Sequence, residues 1–452
     1  MWRGQEMEKH IMKIKRLVVK NLYGHVCYDI KFNDNVTFLY GDNGCGKTTI
    51  LNIVTYIITG KIYKLFDYNF EQITLSFSGE GVKAHQQIVL HQSEQNVILV
   101  DFMSECATIN RRVEYVATPS AGREDIDRFY FSEYPVLERI QNIFNYVYLP
   151  LSRNSTLRLD YPYLYRNKKM AQIQYSNAKG KYGDKKFDAT LNGVEALVAT
   201  AFNKSMATLN RINEDFSDDI LKSFLDIEDM INSDRIVRHM LSLTTAKINE
   251  LQSEYIQVLK TLNKWDLKSS KKVNAFFDSL HKDITNSQKG DRAFSIEFLF
   301  KLSEVSKIIG IIDKAKEAEK AKKEAKAPIE MFLHTANQFI HTEFNKKEIC
   351  IDDDGIIFLR TGDGHEIGIQ NMSSGEKQII TFLTYLVFGL QTTNQSIFII
   401  DEPELSLHLN WQRQFVDSVL AINDNVQLIL ATHAPEMIGR HRDKAIKLLP
   451  QI

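Results

Sequence analysis

A chain of 452 residues with 44% hydrophobic content is long enough to bury a sizeable core, which excludes a disordered polypeptide and predicts two or three domains. Its 56 Lys and Arg against 57 Asp and Glu give a net charge of -1, so any nucleic-acid contact has to come from a local patch. No apolar run reaches the roughly 18 residues of a membrane span, and charges interrupt Met1 to Lys20 where a signal peptide needs an apolar core, which predicts a cytoplasmic address and no membrane partner. Cys27, Cys45, Cys106 and Cys350 show no paired spacing, so neither a disulfide framework nor a zinc site is expected.

Ile14 to Tyr40 alternates like strands, and its last apolar stretch, Val36 to Tyr40, runs into Gly41-Asp42-Asn43-Gly44-Cys45-Gly46-Lys47-Thr48-Thr49. A helix-like run, Ile50 to Ile58, follows. A chain that turns from strand to helix through glycines points several backbone N–H groups at one spot, and that spot suits the phosphates of a nucleotide. Asn43, Gly44, Cys45, Gly46, Lys47, Thr48 and Thr49 are therefore the expected nucleotide-binding residues. Lys47 adds a cation against the β- and γ-phosphates, and the Thr48 hydroxyl is an expected Mg2+ ligand.

Further along, Gln72 to Phe77, Gly81 to His91 and Asn96 to Phe102 alternate like antiparallel strands with turns between them. Ile143 to Pro150 is another candidate strand, running into Leu151-Ser152-Arg153. Arg158 to Lys186 interleaves lysines such as Lys168, Lys169, Lys185 and Lys186 with Tyr161, Tyr163, Tyr165, Tyr175 and Tyr182. Two readings stand for it: a patch for nucleic acid or an acidic protein, or a solvated loop. From Gly193 to Leu262 and from Phe294 to Phe344, apolar residues recur at spacings of three and four, which predicts two helical arms. Lys314 to Lys326 reads as an exposed helix with pairs such as Glu319 with Lys323, interrupted by Pro328.

Near the far end, Asn371-Met372-Ser373-Ser374-Gly375-Glu376 reads as a helix N-terminus with a capping box, leading into the amphipathic run Ile379 to Leu390. Gln395 to Pro403 is a continuous apolar strand ending in acids, as in a parallel strand covered on both faces. A carboxylate at that strand end can hold Mg2+ beside the P-loop, which is the role expected of Asp401. Glu402 is placed to take a proton from an attacking water and is the expected catalytic base. Val426 to His433 is one more apolar strand, ending in a histidine whose neutral ring can hydrogen-bond a γ-phosphate.

The order P-loop, serine-glycine segment, Asp-Glu and histidine resembles that of the ABC-type ATPases. The resemblance implies that Ser373, Ser374 and Gly375 bind the nucleotide held by a second subunit, so that ATP joins two heads, and that His433 is a second catalytic residue. It also implies a lid loop at Leu151-Ser152-Arg153 and a D-loop at Glu404 to His408 against the opposite subunit. The long spacer from Thr49 to Ser373 resembles SMC and break-repair heads, by motif over Lys13 to His91 and Glu348 to Leu449. The implied fold is an α/β ABC ATPase head, a P-loop core sheet plus an antiparallel β-subdomain, with a large helical, partly coiled-coil insertion. Residues 13–157 and 346–452 would form the head and 158–345 the insertion.

A compact head with Asp401-Glu402-Pro403-Glu404 and no appended nuclease resembles the ATPase subunits of anti-phage defence systems, of the AriA type in PARIS, with PtuA-type ATPases as near neighbours. That resemblance implies a homo-oligomeric, ATP-hydrolysing sensor and scaffold that uses ATP and Mg2+. Its implied partner is a separate nuclease effector, Toprim-type in preference to HNH-type, held until a phage anti-restriction or DNA-mimic protein is sensed. The alternative is an SMC-like or break-repair ATPase that clamps DNA beside a nuclease.

Overall fold

The computed structural model describes residues 12–79, 86–94, 96–111, 123–150, 189–225, 244–288, 296–341, 346–389, 397–423 and 425–451. Its first part contains β1 (Met12–Leu22), β2 (Val26–Lys31), β3 (Val36–Tyr40), α1 (Lys47–Ile58), β4 (Gln72–Gly79), β5 (Gln86–Glu94), β6 (Val97–Phe102), β7 (Glu105–Asn110), α2 (Arg123–Glu133), α3 (Pro135–Ile143) and β8 (Tyr146–Pro150). Long helices follow: α4 (Ala189–Leu225), α5 (Thr245–Thr261), α6 (Leu267–Gln288) and α7 (Ile296–Ile340). The last part holds β9 (Glu348–Ile351), β10 (Ile357–Arg360), β11 (Glu366–Gly368), α8 (Ser374–Val387), β12 (Ile397–Asp401), α9 (Leu409–Ile422), β13 (Gln427–Ala431), α10 (Pro435–Ile438) and β14 (Ala445–Lys447).

A five-stranded sheet in the order β14-β3-β13-β12-β8 positions the site, and every neighbouring pair in it is parallel. Its central strands are apolar without alternation because both faces are covered; Val36 to Leu39, Ile397 to Ile400 and Leu428 to Ala431 are all buried. A six-stranded antiparallel sheet, β2-β1-β4-β5-β6-β7, packs through its alternating inward residues. Leu17 stands between Ile30 and Leu75, and Leu75 is opposite Ile88, all four buried in one core with α1 and α3. Gln427, at the start of β13, joins the two sheets. Its buried amide accepts from the Ile14 N–H at 2.8 Å and donates to the carbonyls of Ile14 at 2.7 Å and Asn33 at 2.9 Å. A small sheet, β11-β10-β9, leads into α8.

This is the α/β class expected from the sequence, a parallel core sheet and an antiparallel one with long helices inserted between the chain segments that build them. The chain divides into two compact units, one of described residues up to Ala201 and from Glu330 onward, the other Phe202–Ile329. The second unit has its own core, formed by Ile248 and Leu251 of α5, Phe277, Leu280 and Ile284 of α6, and Leu302, Val305 and Ile312 of α7. Among the described residues no helix is long and apolar enough to cross a membrane, and all four cysteines are free.

Several expectations change. The candidate strand at Ile143 to Pro150 is shorter, and it is an edge of the parallel sheet, pairing with β12 from Tyr146 to Pro150. Strand β7 and helices α2, α3 and α6 have no counterpart in the sequence reading. Pro328 does not interrupt its helix: α7 runs through it. The missing N–H frees the carbonyl of Glu324, an exposed residue whose backbone water can satisfy, and the Ser205 hydroxyl donates to the next carbonyl, Ala325, at 2.8 Å. Beyond the proline, Phe332, Ala336, Phe339 and Ile340 are buried and hold the helix in place. Within Lys314 to Lys326, the ion pairs among the described residues reach acids on other helices, Lys314 with Asp219 and Lys316 with Glu254, and not a Glu319–Lys323 pair. The expected lid loop at Leu151 to Arg153 and the basic, aromatic stretch Arg158 to Lys186 lie outside the described residues.

Candidate active site

Strand β3 ends in the core and releases the chain into the glycine loop. Gly44 and Gly46 take φ of 82° and 89°, a left-handed conformation that other residues resist. Gly46 is also the N-cap of α1, which has no side-chain capping bond and no acid in its first turn. The N–H groups of that turn are thus free for an anion, and the helix dipole favours one. Beneath the loop lies Tyr28 of β2. Its hydroxyl donates to the Cys45 carbonyl at 2.9 Å, and a Cβ on Gly46 would stand 2.5 Å from the same oxygen. Lys47 is buried, and its ammonium donates to the carbonyls of Gly41 at 3.0 Å and Asp42 at 3.1 Å, which holds the loop open in the shape of a cradle. Asn43, Gly44 and Thr48 are exposed, Thr49 half-buried.

Asp401 reaches the loop from the other end of the chain. Burial pushes its carboxyl up to about 6; hydrogen bonding from the Thr48 hydroxyl and the Lys47 charge oppose that rise, while the charges of Glu402 and Glu404 add to it. Among the described residues Asp401 Oδ1 is buried with no hydrogen-bond partner. A buried carboxylate with one unpartnered oxygen beside a threonine hydroxyl offers hard oxygen donors, and these residues fit Mg2+.

Glu402 follows with φ of 51°, an uncommon conformation for a residue with a side chain, held by its N–H donating to Ala431 O at 2.8 Å. Its Oε1 stands 3.9 Å from His433 Nε2, and each side chain keeps about a third of its surface in solvent, 38% and 35%. The P-loop, the end of β12 and the turn after β13 thus contribute to one site.

Ser373 is the N-cap of α8. Its hydroxyl accepts from the Glu376 N–H at 3.3 Å while the Glu376 carboxylate accepts from the Ser373 N–H at 2.8 Å, the capping box read from the sequence. Burial raises the Glu376 carboxyl, but hydrogen bonds from Lys347 and Ser373 outweigh it and hold it below its ordinary range. Ser374 is exposed, whereas Gly375 is buried, and a Cβ there would meet the Ser406 carbonyl at 2.7 Å. Gln378 of α8 also donates to Pro403 O at 3.0 Å, so the helix start is fixed against the loop after β12. Among the described residues no hydrogen bond joins Ser373 or Ser374 to the P-loop.

Two residues were missed. Tyr28 carries no motif, and only the fold brings it under Gly46. Glu404, at the head of the stretch expected as a D-loop, has a role within its own chain: it accepts from the Thr432 hydroxyl at 2.9 Å and from the His433 N–H at 2.6 Å. The polar Thr432 closing an apolar strand was a signal, since a buried hydroxyl needs a partner. His408 caps α9, accepting from the Asn410 N–H at 3.4 Å.

The profile of the AAA ATPase domain family matches residues 12–438. The chain is similar to the retron Vc95 probable ATPase of Vibrio cholerae serotype O1 biovar El Tor, 23% identical across 92% of this chain and 69% of that one. It is also similar to the retron Ec83 probable ATPase of Escherichia coli, 20% identical across 96% and 71% of the two chains. Among solved structures, the Smc head domain with an extended coiled coil from Pyrococcus furiosus, bound to the C-terminal domain of ScpA, aligns at 13% identity with a TM-score of 0.40, over 98% of this chain and 95% of that one.

Proposed function

The chain belongs to the AAA ATPase domain family and is an ATPase, and from that premise we propose that it is the ATP-driven sensor and scaffold subunit of a cytoplasmic anti-phage defence system. In this reading Asn43 to Gly46 wrap the β-phosphate with backbone N–H groups, and Lys47, Thr48 and Thr49 receive it at the start of α1. Thr48 and Asp401 would hold Mg2+, which when bound supplies positive charge against the phosphate oxygens. Glu402 takes the proton of the attacking water, and His433 donates to the γ-phosphate. Ser373, Ser374 and Gly375 complete the site of a second copy. The observation that carries the reading is the convergence of Thr48, Asp401, Glu402 and His433 from segments at opposite ends of the chain.

Residues 13–157 and 346–452 form the head in this proposal, and 158–345 serves assembly or sensing. Similarity along most of the chain to ATPases named for retrons supports a subunit of a multi-component system. The AriA-like resemblance adds a separate Toprim-type nuclease, released when a phage anti-restriction protein is sensed. Purification from a host carrying the flanking genes, with ATP present, tests this by native mass. A large complex containing a nuclease subunit is the expected result. A dimer of this chain alone, with DNA-stimulated hydrolysis, would replace it with the DNA-processing reading.

A further inference from the structure

We propose that Glu404 is a positioning residue for ATP hydrolysis, which fixes the turn after β13 and through it the place of His433 beside Glu402; this rests on the roles given to those two residues above. The turn is three residues long, and its three N–H groups and the Thr432 hydroxyl are all committed. Thr432 is fully buried, and its hydroxyl donates to Glu404 Oε2 at 2.9 Å while accepting from the Ala434 N–H at 3.0 Å. The His433 N–H donates to the other carboxylate oxygen, Oε1, at 2.6 Å. One carboxylate thus takes donors from two consecutive residues, and charge makes both bonds strong.

The flanking backbone is tied as well. Thr432 N–H donates to Leu39 O at 3.0 Å, on the strand that leads into the P-loop, and Glu402 N–H donates to Ala431 O at 2.8 Å. With Glu404 in place the backbone of His433 is held, and its ring stands 3.9 Å from Glu402 Oε1. No neutral side chain reproduces this. A glutamine keeps its one oxygen for the His433 N–H and turns its NH2 to the Thr432 hydroxyl, whose own buried proton then loses its acceptor, and the charge that strengthened both bonds is gone. Aspartate keeps both oxygens but is one methylene shorter.

The test is a double-mutant cycle in the full chain with Glu404→Gln, Glu404→Asp and His433→Ala, reading kcat, KM for ATP, nucleotide Kd and thermal midpoint. Glu404→Gln is expected to lower kcat by roughly 10- to 100-fold with KM and Kd within about threefold, and Glu404→Asp to recover part of the loss. In the His433→Ala background, Glu404→Gln is expected to change kcat by less than about twofold, because the two act as one unit. Full additivity, with His433→Ala itself impaired, would overturn the positioning role and leave the catalytic reading intact. Unchanged turnover in His433→Ala would overturn both. Loss of the folded state in both Glu404 variants, or a fall in nucleotide affinity as large as that in kcat, would mark Glu404 as structural and overturn the proposal.

Discussion

Gly46 has no room for a side chain. Its φ of 89° is left-handed, and an added Cβ would lie 2.5 Å from the Tyr28 oxygen that holds Cys45. Gly46→Ala therefore strains the loop by about 1–2 kcal/mol and displaces its tyrosine support. Calorimetry should show ATP affinity reduced about tenfold or more, and that strain should lower the thermal midpoint by roughly a few degrees. Asp401 makes a different prediction, in pH. Its carboxyl lies at about 6 against an ordinary 3.8, so the folded protein without nucleotide holds an extra proton between those values. Stability from this group is complete below the ordinary value and is lost as pH rises through about 6. Asp401→Asn should thus be more stable than the parent at pH 8, on the order of 2 kcal/mol, with the difference closing toward pH 4 in denaturant unfolding.

Pro328 lies inside α7, where it removes a hydrogen bond at a position its neighbours keep helical. Pro328→Ala should restore that bond and raise the thermal midpoint, a gain of about 1–2 kcal/mol after the proline's effect on the unfolded chain is set against it. A lowered midpoint would show that the proline fits a bend the helix needs. The proline also marks the limit of reading elements from sequence. Val36 to Tyr40 with its glycine loop, and Ile397 to Asp401 with its acids, were legible because strand, turn and helix preferences act on adjacent residues there. Tyr146 to Pro150 was legible as a strand but not as the neighbour of β12, since pairing across the sheet leaves no local mark. Tyr28 and Glu404 were illegible as site residues for the same reason: their partners, Cys45 and the turn at Thr432, are chosen by the tertiary fold. The Ser373 capping box was legible in full, because all its atoms lie within one turn.

The exposed Ser374 and the cradle at Lys47 make a prediction about copies of the chain together. If each site joins the P-loop of one copy to the α8 start of another, Lys47→Ala and Ser374→Glu are each inactive alone. An equal mixture, reassociated with ATP, should regain roughly a quarter of the parent turnover, since half the pairs are mixed and each mixed pair has one intact site. No recovery would mean that one chain completes its own site. The sheet order carries a last consequence, for synthesis. Strand β3 is flanked by β13 and β14, so one of its edges stays open until the ribosome has passed residue 431 and the other until residue 447. Ile14 waits across a separation of 413 residues for Gln427, roughly 20 to 80 seconds at ordinary elongation rates. Throughout that interval Val36 to Tyr40 is an apolar strand with unpaired backbone on each side, a template for joining other nascent chains. A message cut short before β12 yields a P-loop without the strands that flank β3 or the Asp401 to His433 side of its site.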